Sequence, residues 1–464
     1  MDERIIRSVG GKIARFFQAP ELPADARRTF RFHLAYALLD AAAGGIVLNA
    51  PMVALKALSA QTWHLPLREL YSGIGMLATL YLGSWMAPRL KMPFVFYPGV
   101  ACASCALGMA MATGSAFWFL TLFGISAMFE IVTRPAITAI LRLNYPVTHR
   151  GLATGEVRKW SSLSFVVASL SSAVVLQSAR ADNMALVQGL ILLAGALSLS
   201  SFLCFRKIRV NEDPQACRRD LRPEVFENFR QAASVVVRDA RYRRYLLTCF
   251  VDGFCGMLYF PLTWAFLQKT LGYGYVGSAL LMHVIPAVTA FALTGLVGRW
   301  FDRTNPWLAW AWIRFGWGLD ALLLAATPWY AAVFPPALVL LPVAGRLLRG
   351  AVQGGQWVLW WQIGVTHFAR PGEDTSRYMG IMVFLNGAIR LTASAMAMVL
   401  AAEAFQPVIL LVAGGMGIIL AGAYSLWEGV RERRQKHLAT IADFESLFSA
   451  AAPSTPAPIR WRKR

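Results

Sequence analysis

The sequence predicts an all-α polytopic membrane protein: about twelve transmembrane helices in two pseudo-symmetric six-helix bundles, with N- and C-termini cytoplasmic. Three observations predict it. Hydrophobic residues make up 57% of the 464 residues and charged ones only 15%, too little charge to cover a water-soluble surface of this size. Apolar runs of about 20 residues recur, the length a helix needs to cross a hydrocarbon core of roughly 30 Å. The runs are continuous, without the period-two alternation of a barrel, so backbone groups in lipid must be satisfied within helices. Finally, residues 206–244 carry eleven Lys or Arg and interrupt the apolar chain, with about six runs before them and six after.

Taken in order, residues 1–30 form a basic amphipathic segment. Ile5, Ile6, Val9, Ile13, Phe16 and Phe17 share one helical face opposite Arg4, Arg7, Lys12 and Arg15. That pattern suits a helix lying against anionic lipid at the cytoplasmic face, a solvated arm being the alternative. The first bundle occupies 31–205, with spans near 32–55, 70–87, 94–112, 117–140, 161–176 and 185–205. In the basic linker, 206–244, Val225, Phe226, Phe229, Ala232, Ala233, Val236 and Val237 recur at helical spacing and predict an amphipathic helix under the membrane face. The second bundle occupies 245–430, with spans near 246–267, 279–297, 308–326, 338–366, 379–401 and 408–427. In the tail, 431–464, Leu438, Ile441, Phe444, Leu447 and Phe448 repeat the amphipathic idea weakly before a Pro/Ala/Ser-rich end that reads as disordered.

A net charge of +20 raises the question of nucleic acid, but its placement argues against that partner. Basic residues gather at the ends of every second apolar run, where a positive-inside bias puts them. The odd-numbered loops hold only Lys56, Arg68, Arg180 and Lys269, so both termini face the cytoplasm and the number of spans is even. The six cysteines fall almost all within spans or the linker, and Cys102-x-x-Cys105 has no second pair for a zinc site. No metal, cofactor or catalytic residue is expected, and the protein reads as a monomer. The first apolar run begins only near Phe32 and is too long for a cleavable signal, so the chain reads as a multi-pass integral protein, of the inner membrane if bacterial.

The halves share details. Leu39-Asp40 is followed by Gly44 and then Pro51; Val251-Asp252 is followed by Gly256 and then Pro261. Val147-Thr148-His149 after span four returns as Val365-Thr366-His367 after span ten. After span eight, Gly298-Arg-Trp-Phe-Asp302-Arg303 resembles the Gly-x-x-x-Asp-Arg turn of the major facilitator superfamily. The first-half copy, Gly83 to Lys91, has Ala87 where the aspartate belongs, and Arg346-Leu-Leu-Arg349-Gly350 resembles the superfamily's Arg-x-x-x-Gly motif. The resemblance covers about residues 30–430. It implies a central cavity lined by spans one, four, seven and ten, and a cytoplasmic gating role for Gly298, Asp302 and Arg303, beside the plainer reading of a tight charged turn. Span five lacks the Gly-Pro pair of the superfamily's drug antiporters.

Ionisable residues inside spans cost about 2.5–3.5 kcal/mol each on insertion scales, so each needs a partner or a task. Asp40, Glu130, Arg134, Asp252, Arg314, Asp320, Arg346, Arg349 and Arg390 are in that position. Glu130 and Arg134 lie four apart on one helical face, as a structural pair or as a protonatable carboxylate tuned by an arginine. Asp40 and Asp252 occupy matching places, with substrate, proton or structural roles open. On span ten, Arg346, Gln353 and Trp357 recur on one face with Arg349 beside them; span seven adds Tyr259. Polar groups among aromatics suit an organic ligand. Arg314 and Asp320 read as structural, His283 as packed.

The resemblance therefore implies a secondary transporter, not an enzyme, moving a small organic solute by alternating access with protons as the driving ion. The arginines suggest an anionic or zwitterionic solute, and no Walker-type phosphate loop is present. The alternatives are a polytopic lipid-modifying transferase, for which His367 near Glu373 and Asp374 is the best candidate site, and a transporter-like sensor.

Overall fold

The structure, a computed structural model, describes residues 22–86, 89–178, 183–212, 225–358, 368–369, 375–403 and 406–451. The side chains of Gly298, Asp302 and Trp357 lie outside the described set, as do residues 1–21 of the N-terminal segment, His367 and the end of the tail.

Among the described residues the protein is all-helical, laid out in twelve spans. Span one runs Ala24–Val47 and continues as Ala50–Lys56; spans two to six are Leu67–Met86, Met92–Met111, Ala116–Asn144, Val147–Ser178 and Met184–Arg206. In the second half, span seven begins as Ala240–Tyr259 and span eight ends as Ile285–Arg303. Spans nine to twelve are Pro306–Val333, Ala337–Val358, Thr375–Ala402 and Pro407–Ala451. Ten of the described helices are long and apolar enough to cross a membrane; spans two and ten, which carry Arg68 and Glu69 and Arg346 and Arg349 respectively, are not among them. Two helices run further than their apolar runs foretell. Span five includes the basic stretch from His149 to Lys159, and span twelve continues into the tail. The linker forms the helix Val225–Arg238, whose Val235 and Val236 pack against the second bundle.

Caps and breaks follow local chemistry. Asp239 accepts hydrogen bonds from the Arg241 and Tyr242 amides at the start of span seven, and Asn305 caps span nine just before Pro306. Span one breaks at Asn49, whose side-chain amide donates to the Ser169 carbonyl at 3.1 Å and Ser172 Oγ at 2.9 Å on span five. A break at membrane depth is thereby satisfied by a neighbouring helix. In span seven Pro261 lacks an amide donor; a 3₁₀ turn at Phe260–Leu262 follows, then a π-helical turn at Phe266–Thr270. A second π-helical turn, Leu280–Val284, lies in span eight and carries His283.

Three hydrophobic cores define the arrangement of the halves. One includes Met52, Leu65, Phe119, Leu262, Phe266 and Leu411 among its buried residues, all near odd-numbered loops and drawn from both bundles. The second, with Phe30, Ile140, Tyr145 and Phe205, belongs to the first bundle; the third, with Tyr242, Tyr245, Trp307 and Tyr378, to the second. Both of these lie near even-numbered loops. Among the described residues, the external ends thus share one core while the cytoplasmic ends keep two, the arrangement of a cavity closed outside and open inside.

Candidate functional site

Where the halves meet, spans two and eleven cross at glycines. A Cβ on Gly73 would lie 2.7 Å from the Leu391 amide nitrogen, and one on Gly387 would lie 3.0 Å from that of Leu77. This approach lets Arg390 of span eleven pair with Glu69 of span two, which also pairs with its neighbour Arg68. Lighter contacts also bridge the halves. Gln177 Oε1 accepts from the Tyr275 amide at 2.8 Å, Lys269 Nζ reaches Thr62 Oγ1 at 3.0 Å, and Lys56 Nζ lies 5.1 Å from the Tyr275 ring centroid. All join one half to the other at the closed external end.

In the first bundle, Glu130 and Arg134 form an ion pair one helical turn apart. Asp40 of span one lies within electrostatic reach of both, beside Tyr36, and Glu130 is also within reach of Arg68. Arg134 keeps 57% of its side chain exposed and Glu130 35%, although both sit midway along span four. The electrostatic neighbours of this pair are Tyr36 and Asp40 of span one and Arg68 of span two. Two carboxylates thus draw on Arg134, with Arg68 within reach of one of them.

The second bundle holds two sequestered clusters. Arg314 Nε donates to Asp252 Oδ2 at 2.7 Å and Nη2 to Thr248 Oγ1 at 3.0 Å, while Nη1 donates to Ser425 Oγ. Spans seven, nine and twelve are thus tied together, and Asp252 is buried inside the bundle, whereas Asp40 is only partly buried. Nearer the closed end, Asp320 Oδ2 accepts from Arg346 Nη1 at 3.1 Å and Arg349 Nη1 at 3.4 Å. Arg346 is 1% exposed, and its Nε and Nη2 have no acceptor; Arg349 is 17% exposed and stacks 4.8 Å from the Phe260 ring centroid. Gly350 lets span ten touch span eight, since a Cβ there would lie 2.7 Å from the Pro286 carbonyl oxygen. Buried Tyr259 packs on Gly414 of span twelve within reach of this cluster, and half-buried Gln353 follows Arg349 by one turn. His283 packs against the Phe165 and Trp264 rings, within electrostatic reach of Arg68, Arg346 and Arg349.

The residues singled out in the sequence thus fall into separate places. Asp40, Glu130 and Arg134 come together; Arg346 and Arg349 come together through Asp320; Asp252 joins Arg314. Arg303 is exposed at the end of span eight, while the gating role of its neighbours and the place of Trp357 fall on side chains outside the described set. Glu69 is not among the sequence-predicted site residues, because the apolar run of span two begins one residue after it. The signal was an Arg-Glu pair at the very edge of that run.

The family model described as the Major Facilitator Superfamily matches residues 32–394. A mutant form of the nucleoside transporter NupG superposes with a TM-score of 0.61 at 12% identity, covering 87% of this chain and 98% of that one. A D-xylose–proton symporter gives 0.60 at 14%, covering 86% and 96%. A bacterial homolog of the human lysosomal transporter Spinster, in an inward-facing and occupied conformation, gives 0.57 at 14%, covering 87% and 95%. These likenesses are of fold. No curated protein sequence matches the chain.

Proposed function

The chain belongs to the Major Facilitator Superfamily, and on that footing we propose that it is a secondary active transporter that moves a small organic solute by alternating access, coupled to protons. The observation that carries the coupling is the cluster of Asp40, Glu130 and Arg134 on spans one and four. Arg134 pairs directly with Glu130, and Asp40 draws on that same arginine, so a proton on Asp40 relieves a second negative charge at membrane depth. In the inward-open arrangement that proton exchanges with the cytoplasm through the exposed face of span four.

Alternating access is supported by the distribution of the cores. Parting the shared external core and bringing the two cytoplasmic cores together would carry the cavity to the other side, with each bundle moving as a body. The solute reading, anionic or zwitterionic, is supported by the arginines around the closed end.

The test is uptake into proteoliposomes under an imposed pH gradient. The nucleoside and D-xylose–proton transporters of like fold add nucleosides and sugars to a panel of amino acids and organic anions. Wild type should accumulate a solute while moving protons, whereas Asp40→Asn should exchange that solute without gradient-driven accumulation. Equal accumulation by both proteins would remove Asp40 from the coupling.

A further inference from the structure

Two charge clusters at the closed end share an imbalance. Glu69 answers both Arg68 and Arg390, and Asp320 answers both Arg346 and Arg349. Each cluster, counted by its ion pairs, leaves one positive charge over, although Arg68 is also within reach of Glu130. Arg68 of span two and Arg349 of span ten belong to different halves, and both lie within electrostatic reach of His283, which packs between Phe165 of span five and Trp264 of span seven. Arg68 and Arg349 remain partly exposed, each with its guanidinium near an aromatic ring, Phe123 and Phe260. Behind Arg349, Arg346 is almost wholly buried with two N–H-bearing nitrogens lacking an acceptor. Unanswered guanidinium donors at membrane depth are costly unless an anion completes them.

Resting on the transporter reading above, we infer that the solute is an organic anion whose charged group seats at the closed end of the cavity between Arg68 of one half and Arg349 of the other. The recognising chemistry is a carboxylate or a phosphate ester, which a guanidinium can bind through two parallel bonds. Two surplus charges favour a dianion over a monoanion of similar size. A group bound there touches both halves, so its arrival and departure bear directly on whether the external end stays closed.

The experiment uses the full chain in nanodiscs, with thermal unfolding followed by tryptophan fluorescence. Succinate and glucose 6-phosphate are the dianion probes, lactate the monoanion, glucose and lysine the neutral and cationic controls, and choline chloride holds ionic strength constant. Succinate or glucose 6-phosphate should raise Tm in a saturable way, lactate should do so less, and glucose and lysine should not. Arg349→Gln and Arg68→Gln should each weaken the anion by about tenfold or more, with Arg349→Lys recovering part of the loss. If Arg349→Gln does not fold, the partly exposed Arg68→Gln decides. No shift with either dianion, a larger shift with glucose or lysine, or anion shifts that survive both Gln substitutions overturn the seat. Uptake in proteoliposomes separates the two readings. Anion binding without movement of any panel solute counts against transport and leaves the seat; uptake of a neutral solute with no anion effect does the reverse.

Discussion

In the first bundle Arg134 stands between two carboxylates and keeps 57% of its side chain exposed; in the second, Asp320 stands between two arginines and is 1% exposed. The folds of the halves are alike, yet their charge balance is opposite and so is their access to water. A half-exposed cluster can gain or lose a proton at small cost, because water screens the change. A sequestered cluster cannot lose a member without stranding the rest. On the transport reading proposed above, the changeable charge belongs to the first half and the fixed charge to the second.

The largest effect expected from that contrast is at Asp252. Asp252→Ala leaves Arg314 fully buried without its carboxylate, and removing one partner of a buried pair costs about 3–5 kcal/mol. The corresponding Asp40→Ala on span one should cost far less, since Arg134 keeps Glu130. Thermal unfolding of the two variants in nanodiscs checks this; equal losses would break the comparison between the halves.

This pair also marks how much was legible in the sequence. Span order, orientation and the amphipathic linker helix follow from apolar length, basic loops and helical spacing, all of which are local. Asp40 and Asp252 look equivalent by the same local criteria. What separates them is Arg314, 62 residues further along, which spans seven and nine bring to Asp252 while no such partner reaches Asp40 from span three. Arg314 and Asp320 likewise read as structural in isolation, but Asp320 is what joins Arg346 to Arg349. Charge partners on different helices leave no spacing to read.

Next in size is the pairing of Glu69 with Arg390, which crosses between the halves. Arg390→Gln keeps Arg68 beside Glu69 but removes the bond to span eleven. The external end should open more often, by about 1–3 kcal/mol in the balance of inward and outward states. Accessibility of a cysteine placed at Leu262 to a membrane-impermeant thiol reagent, on a background lacking the native cysteines, reports the change. Unaltered labelling would mean that the apolar core alone keeps this end shut.

A smaller effect on stability, though not on coupling, is expected at Glu130→Gln. The partly exposed pair with Arg134 should contribute no more than about 1 kcal/mol, and Arg134 retains Asp40 as its counter-charge. With a single ionisable carboxylate held by one arginine, the cluster no longer carries a surplus charge for a proton to neutralise. Folding should therefore be nearly unchanged while proton movement with solute falls away. Loss of stability comparable to Asp252→Ala would make the first cluster as structural as the second.

The smallest effect is expected at the rim of the closed end, and its size decides what the closure rests on. Lys269 reaches Thr62 across the halves at 3.0 Å, but the contact is exposed and involves one charged group and a hydroxyl. Water competes for both, and the lysine loses rotamer freedom to hold the geometry, so Lys269→Met should change the balance of states by less than about 0.5 kcal/mol. The same thiol-labelling assay that reads Arg390→Gln reads this variant. A near-zero result beside a large one at Arg390 would place the closing energy in the buried Glu69 pair and the apolar core around it. Equal effects would instead make the closure a sum of many weak rim contacts, and the glycine crossing of spans two and eleven would then serve packing alone.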